Sequence, residues 1–176
     1  MNITVYLGSR FGTDPEFKTA VRELGNWIGE SGNTLIYGGS KSGLMGELAE
    51  SVLLAGGDVI GVEPQFFIDA GFVYDELPTL IVTNDMAERK TKMIELGDAF
   101  IAFPGGTGTL EEISEVMSKV FLGHLDSPCI IYNLNKYYDH LKSLLTHMTE
   151  MGLSDDHSQK KIFFAENLED IKKVLG

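Results

Sequence analysis

Along the chain, short runs of consecutive apolar residues alternate with longer stretches in which apolar residues recur every three or four positions. Ile3–Leu7, Thr34–Tyr37, Val59–Val62, Leu80–Thr83, Phe100–Phe103, Cys129–Tyr132 and Ile162–Ala165 are the short runs. Their β-branched and aromatic content predicts buried strands. Between them the period becomes helical. Asp14-Pro15-Glu16 offers an N-cap, a proline at the first helical position and an acidic first turn. That helix is predicted to run to about Ser31, with Gly32 as its C-cap. Leu44, Leu48 and Val52 mark a helix over Leu44–Ala55, stopped by Gly56-Gly57. Further helices are predicted over Met86–Leu96, Thr109–Leu122 and Tyr137–Met151. A short last one is capped by Asn167, with Asp170 three residues on. Glu63–Leu77 mixes Pro64, Phe66, Phe67 and Gly71 without a period and reads as an irregular excursion, and Glu150–Asp156 reads as a solvated loop.

Alternation of this kind predicts a single α/β domain over residues 1–176, doubly wound, with a mainly parallel sheet and helices on both faces. In such sheets a ligand sits beyond the C-terminal ends of the strands, so the loops that follow the strands are where chemistry is expected.

Three of those loops are unusual. Pro104-Gly105-Gly106-Thr107-Gly108-Thr109-Leu110-Glu111-Glu112 joins a strand to a helix. Its glycines let the backbone approach a ligand closely. Its N–H groups open a helix N-terminus, where the macrodipole favours an anion such as phosphate. A tight turn with a threonine cap accounts for the glycines alone equally well. A dinucleotide fingerprint is excluded, because Glu111 stands where its third glycine belongs, and a P-loop fails for want of a Gly-Lys-Ser/Thr ending. Tyr37-Gly38-Gly39-Ser40-Lys41-Ser42-Gly43 and Leu7-Gly8-Ser9-Arg10-Phe11-Gly12 are the second and third loops. Three at one sheet edge are harder to explain as turns. Met86-Ala87-Glu88-Arg89-Lys90 also follows a strand. It is either the charged face of an amphipathic helix or a cation source for the same crevice.

Composition narrows the partners. Fourteen basic against 26 acidic side chains give a net charge of −12, which repels a phosphate polymer and leaves a small anion held by local groups. No apolar run approaches the ~18 residues needed to span a bilayer. The start of the chain reads as a strand and not as a signal peptide. Cys129 has no internal partner, which fits a reducing cytoplasm.

The Pro104-Gly-Gly-x-Gly-Thr-x-x-Glu112 loop and the Met86-x-x-Arg89-Lys90 element resemble the LOG family, the cytokinin riboside 5′-monophosphate phosphoribohydrolases. The agreement extends to Gly8-Ser9, Tyr37-Gly38-Gly39, Gly43-Leu44-Met45-Gly46 and Gly56-Gly57…Gly61-Val62…Pro64, in order, up to about Leu122. The resemblance implies a Rossmann-like fold, a homodimer and no cofactor. It implies hydrolysis of the N-glycosidic bond of AMP-like nucleotides, including N6-modified ones, with Arg89 and Glu112 as the catalytic pair. The substrate contacts expected with it are Gly8, Ser9, Gly38, Gly39, Ser40, Met86, Arg89, Lys90, Gly105, Gly106, Thr107, Gly108, Thr109 and Glu111. Three positions depart from the commonest pattern: Ala87 stands where many members have histidine, Ser40 replaces a third glycine and Arg10 a second serine. No motif places a lysine for a pyridoxal Schiff base, so lysine decarboxylation, a label that relatives have carried, is not expected.

The implied reaction makes physical sense of the pair. Positive charge builds on the ribose as the base departs, and a carboxylate beneath the anomeric carbon stabilises it and orients water. Glu112 suits that role. Glu111 points about 100° away around the helix, toward the ribose hydroxyls or a cap. Arg89 can bridge to phosphate or hold Glu112 ionised. A non-catalytic nucleotide or cofactor carrier of related fold is the alternative; it needs the loops but not the pair.

Overall fold

The computed structural model describes residues 1–74, 76–155 and 160–176. Strands and helices alternate as β1 (Asn2–Tyr6), α1 (Glu16–Glu30), β2 (Thr34–Tyr37), α2 (Gly43–Leu54), β3 (Asp58–Pro64), α3 (Gln65–Asp69), β4 (Thr79–Thr83), α4 (Met86–Leu96), β5 (Ala99–Ala102), α5 (Thr107–Phe121), β6 (Cys129–Tyr132), α6 (Asp139–Glu150), β7 (Ile162–Ala165) and α7 (Leu168–Leu175). The strands form one parallel sheet in the order β4-β3-β2-β1-β5-β6-β7, an α/β Rossmann-like arrangement. The order reverses between β1 and β5, and a crevice opens there because the following helices leave in opposite directions.

The period-two alternation of the strands decides which helix lies on which face. Ile3, Val5 and Leu7 point to one side and pack with Leu24 and Ile28 of α1, Leu48 and Val52 of α2, and Ile171 of α7. Tyr6, Phe100 and Ala102 point to the other and meet Met93 of α4 and Ile113, Val116 and Met117 of α5. Full burial of one such side chain contributes about 1.5–3 kcal/mol. Helices α1 and α2 approach closely because Gly25 and Gly29 carry no side chain. A Cβ on Gly25 would stand 2.6 Å from Ser51 Cβ, and one on Gly29 2.7 Å from the Val52 carbonyl oxygen.

Three expectations are corrected. Strand β3 continues through Glu63 and Pro64, which pair with Val82 and Thr83 of β4, and α3 follows directly. The excursion is therefore shorter than Glu63–Leu77. Proline is tolerated at this strand end, where no further ladder bond requires its N–H. Helix α5 begins at Thr107 and not Thr109, so Glu112 lies in its second turn. The stretch expected as one helix from Tyr137 is preceded by a 3₁₀ turn, Leu134–Lys136, and α6 starts only at Asp139. Asn135 and Lys136 adopt φ of 50° and 63°, which no α-helix accommodates. The expected loop Glu150–Asp156 ends on a residue outside those described. Among the described residues no helix is long and apolar enough to cross a membrane.

Candidate active site

A cleft of about 500 Å³ opens at the β1/β5 reversal, within the size range of small-molecule sites. The three strand-end loops converge on it and touch one another through their backbones. Gly8 N donates to the Pro104 carbonyl at 3.3 Å. A Cβ on Gly105 would lie 2.9 Å from Gly8 N and 2.1 Å from Thr109 Oγ1, and one on Gly43 would lie 2.5 Å from the Ser9 carbonyl carbon. Glycine is thus required for contact between loops as well as for approach to a ligand. The β5–α5 loop is held from behind by two hydroxyls: Tyr138 donates to the Phe103 carbonyl at 2.9 Å and Tyr137 to the Gly105 carbonyl at 2.6 Å. Among the described residues no side chain caps α5 or α2, so both helices present free N–H groups at the cleft.

Helix α4 aims Arg89 into this cleft. Its N-cap Asp85 accepts from Glu88 N at 2.8 Å, while the Glu88 carboxylate reaches back to Asn84 N at 2.7 Å. This reciprocal cap fixes the first turn, with Glu88 outward and Arg89 inward. The guanidinium is then held on three sides. Nε donates to the Val62 carbonyl at 2.9 Å and lies 3.4 Å from Glu63 Oε2; Nη1 donates to Glu112 Oε1 at 2.6 Å. Nη2 passes over Gly38, where a Cβ would stand 2.1 Å from it.

Two buried carboxyls therefore share one cation. Burial pushes the Glu112 carboxyl above the usual range, against the charge and hydrogen bond of Arg89, which pull it down. Burial raises Glu63 further, to about 7, with Arg89 opposing and Glu112 assisting. Tyr6, on the cleft floor, has a buried hydroxyl without a hydrogen-bond partner, and burial together with Glu112 raises it well above the ordinary phenol range.

Of the residues expected from sequence, Gly8, Ser9, Gly38, Ser40, Met86, Arg89, Gly106, Thr107, Gly108, Thr109 and Glu112 line the cleft. Gly39, Lys90, Gly105 and Glu111 do not. Gly39 and Gly105 shape the loops from behind. Lys90 turns to the outer side of α4, where it pairs with Glu111 and lies 3.3 Å from Glu115. The hydroxyl of Ser40 accepts from Ser42 N at 3.1 Å, bracing the second loop. Ala87, at the position of the frequent histidine, is exposed, whereas Arg10 lines the cleft mouth. Sequence reasoning missed Glu63, Tyr6, Phe67 and Phe72, all in the lining. Glu63 was findable: a carboxylate directly after the apolar Val59–Val62 run stands at a strand's C-terminal end.

Residues 45–175 match the family model described as "Possible lysine decarboxylase". Among the described residues no lysine lines the cleft, so the cleft offers no amine for a Schiff base to a pyridoxal cofactor. The chain is 37% identical over 169 residues to the cytokinin riboside 5′-monophosphate phosphoribohydrolase of Rhodococcoides fascians, covering 96% of this chain and 85% of the relative. It is 35% identical over 173 residues to the Arabidopsis thaliana phosphoribohydrolase LOG1, covering 98% and 81%. Two solved structures share the fold. The molybdenum cofactor binding protein of Rippkaea orientalis gives a TM-score of 0.73 at 23% identity, covering 99% of this chain and 94% of that one. The Moco carrier protein of Chlamydomonas reinhardtii gives 0.72 at 21%, covering 99% and 96%. With its motifs at the mouth of one cleft and its relatives alike over nearly its whole length, the chain belongs to the LOG family.

Proposed function

We propose that the protein is a phosphoribohydrolase that cleaves the N-glycosidic bond of AMP-like nucleoside 5′-monophosphates, including N6-modified ones, to free base and ribose 5-phosphate. The observation that carries this reading is the buried Arg89–Glu112 pair beside the uncapped N-terminus of α5. The helix N–H groups and Thr107 receive the 5′-phosphate. Arg89 keeps Glu112 ionised and in register, and Glu112 supports the cationic ribose and orients the attacking water. A carrier needs a ligand held tightly by loops. It gains nothing from a buried carboxylate whose desolvation must be offset by a dedicated arginine. The names of the relatives from R. fascians and A. thaliana support the same activity.

Incubation with AMP followed by chromatography tests the proposal. Equal amounts of adenine and ribose 5-phosphate are expected; intact AMP and intact isopentenyl-AMP after prolonged incubation would overturn it. The protein acts as a homodimer in this reading. Leu144, Met148 and Met151 form an exposed apolar stripe on and just beyond α6 at helical spacing, suited to a second copy. Sedimentation of the wild type against Met148→Asp measures whether that surface is used.

A further inference from the structure

Departure of a purine as an anion is slow unless a proton reaches it, and neither member of the Arg89–Glu112 pair supplies one. The guanidinium stays charged at every accessible pH, and Glu112 is needed as a carboxylate. A third group stands in the same cleft. Glu63 is the next-to-last residue of β3, is 3% exposed, and lines the cleft wall beside Arg89. Its Oε2 lies 3.4 Å from Arg89 Nε but accepts no hydrogen bond, because that N–H is committed to the Val62 carbonyl. The remaining guanidinium contact goes to Glu112. Arg89 thus satisfies one carboxylate through a hydrogen bond and the other only through space.

An ionised oxygen buried without a donor is costly, and two carboxylates against one guanidinium leave an unbalanced negative charge. One proton on Glu63 removes both costs. It also turns an unpartnered acceptor into an O–H donor in the lining of the cleft. The groups facing Glu63 agree with this. Arg89 of α4 is the cation beside it, Glu112 of α5 repels its charge, and Tyr37 of β2 is a buried neutral phenol. Burial raises Glu63 to about 7, so the proton is present near neutrality and exchangeable there.

We infer that protonated Glu63 is the general acid that delivers a proton to the leaving base, working opposite the carboxylate of Glu112. The inference rests on the hydrolase reading above. As the C1′–N9 bond breaks, its electron pair goes to the base, and a base nitrogen takes the Glu63 proton. Water adds its OH to C1′ and passes its proton to Glu112. Transfer of that proton from Glu112 back to Glu63 through cleft water restores the enzyme, with one water consumed per nucleotide.

The test compares AMP with p-nitrophenyl ribose 5-phosphate, whose nitrophenolate departs without a proton. The substrate phosphate, which titrates near pH ~6, is common to both and cancels in the comparison. In the wild type, kcat for AMP should fall as pH rises through about 7, approaching tenfold per pH unit, while kcat for the nitrophenyl substrate stays level. Glu63→Gln should lower kcat for AMP about 10²-fold or more yet leave the nitrophenyl rate within about threefold. Its AMP dissociation constant, measured by calorimetry, should stay near wild type and establishes that the variant is folded. Equal losses on both substrates in a variant that binds AMP, or the same pH profile for both in the wild type, would overturn the inference alone. The wild-type comparison needs no variant. A wild type that cleaves neither compound would instead overturn the hydrolase reading, and the inference with it.

Discussion

Arg89 and Glu112, 23 residues apart in sequence, meet through a 2.6 Å hydrogen bond between two buried side chains, and that bond ties α4 to α5 across the reversal of strand order. Each partner answers for the other's burial. The charge and hydrogen bond of Arg89 pull the Glu112 carboxyl down against the burial that raises it, and loss of either partner would leave the other buried and uncompensated.

Glu112→Gln keeps the shape and an acceptor for Arg89 but removes the charge. Because that charge matters most when the ribose becomes cationic, kcat should fall about 10²-fold or more, with AMP binding nearly unchanged. Steady-state kinetics beside calorimetric binding measures both. Retention of more than half the wild-type rate would remove Glu112 from the mechanism.

Arg89→Ala and Lys90→Ala delete the same charge from neighbouring positions with different results. Loss of Arg89 strands the buried Glu112 carboxylate without its cation, at a cost of about 3–5 kcal/mol, and activity is expected to go with it. Lys90 serves an outer pair with the exposed Glu111, so its removal should cost about 0–1 kcal/mol and leave kcat within a few-fold. Thermal melts and kinetics of the two variants decide it. A larger loss for Lys90→Ala would mean that the facing of α4 is wrong.

The 5′-phosphate should be required. The N-termini of α5 and α2 offer N–H groups suited to a phosphate, whereas adenosine leaves them facing water. Hydrolysis of AMP and adenosine at equal concentration compares them; equal rates would reduce the glycine loops to turns.

Gly38→Ala should cripple the enzyme without replacing a charged residue. The added Cβ falls 2.1 Å from Arg89 Nη2 and 2.5 Å from Met45 Cε, so the guanidinium that bonds Glu112 must be displaced to admit it. A kcat loss of about 10²-fold is expected, since small displacements of a catalytic group carry penalties of that size. Wild-type kinetics in the variant would mean that Arg89 adapts at no cost.

Stability should carry a signature of Glu63. Its carboxyl rises from 4.5 in the unfolded chain to about 7 in the fold. The folded state therefore binds the proton more tightly, and the stabilisation is fully present below about pH 4.5 and lost as pH rises through about 7. Glu63→Gln removes this dependence. Its melting temperature should gain on the wild type between pH 5 and pH 8; parallel curves would place the Glu63 titration elsewhere.

Much of this was readable from the chain. The inner strands β1, β2, β5 and β6 are largely buried on both faces and so appear as nearly unbroken apolar stretches, and Asn167 and the paired glycines mark helix ends by local chemistry alone. The family motifs imply the pairing of Arg89 with Glu112 that the fold makes. What local pattern does not encode is pairing. Glu63 and Pro64 look like a break, but the register with Val82 and Thr83 holds them in the sheet. Lys90 and Glu111 sit inside the motifs yet face outward, because adjacent helical residues differ by about 100° in direction. Phe67 and Phe72 reach the cleft from a segment without periodicity, folded back by the hydrogen bonds of Lys41 N to the Phe72 carbonyl and Tyr74 N to the Gly39 carbonyl.

The place of β1 in the middle of the sheet has a consequence for how the chain is made. Ile3–Tyr6 find one neighbour in β2, soon after them in sequence, but the other, Ala99–Ala102, lies far downstream. At about 5–20 residues per second, a ribosome takes roughly 5–20 s to bring β5 out after β1 has emerged. For that interval the future centre of the sheet is an unpaired, mostly apolar edge, the kind that seeks strands of other chains. The protein is therefore most exposed to misassembly while it is being translated, and synonymous codons that slow elongation between α1 and β5 should lower its soluble yield without altering a single residue.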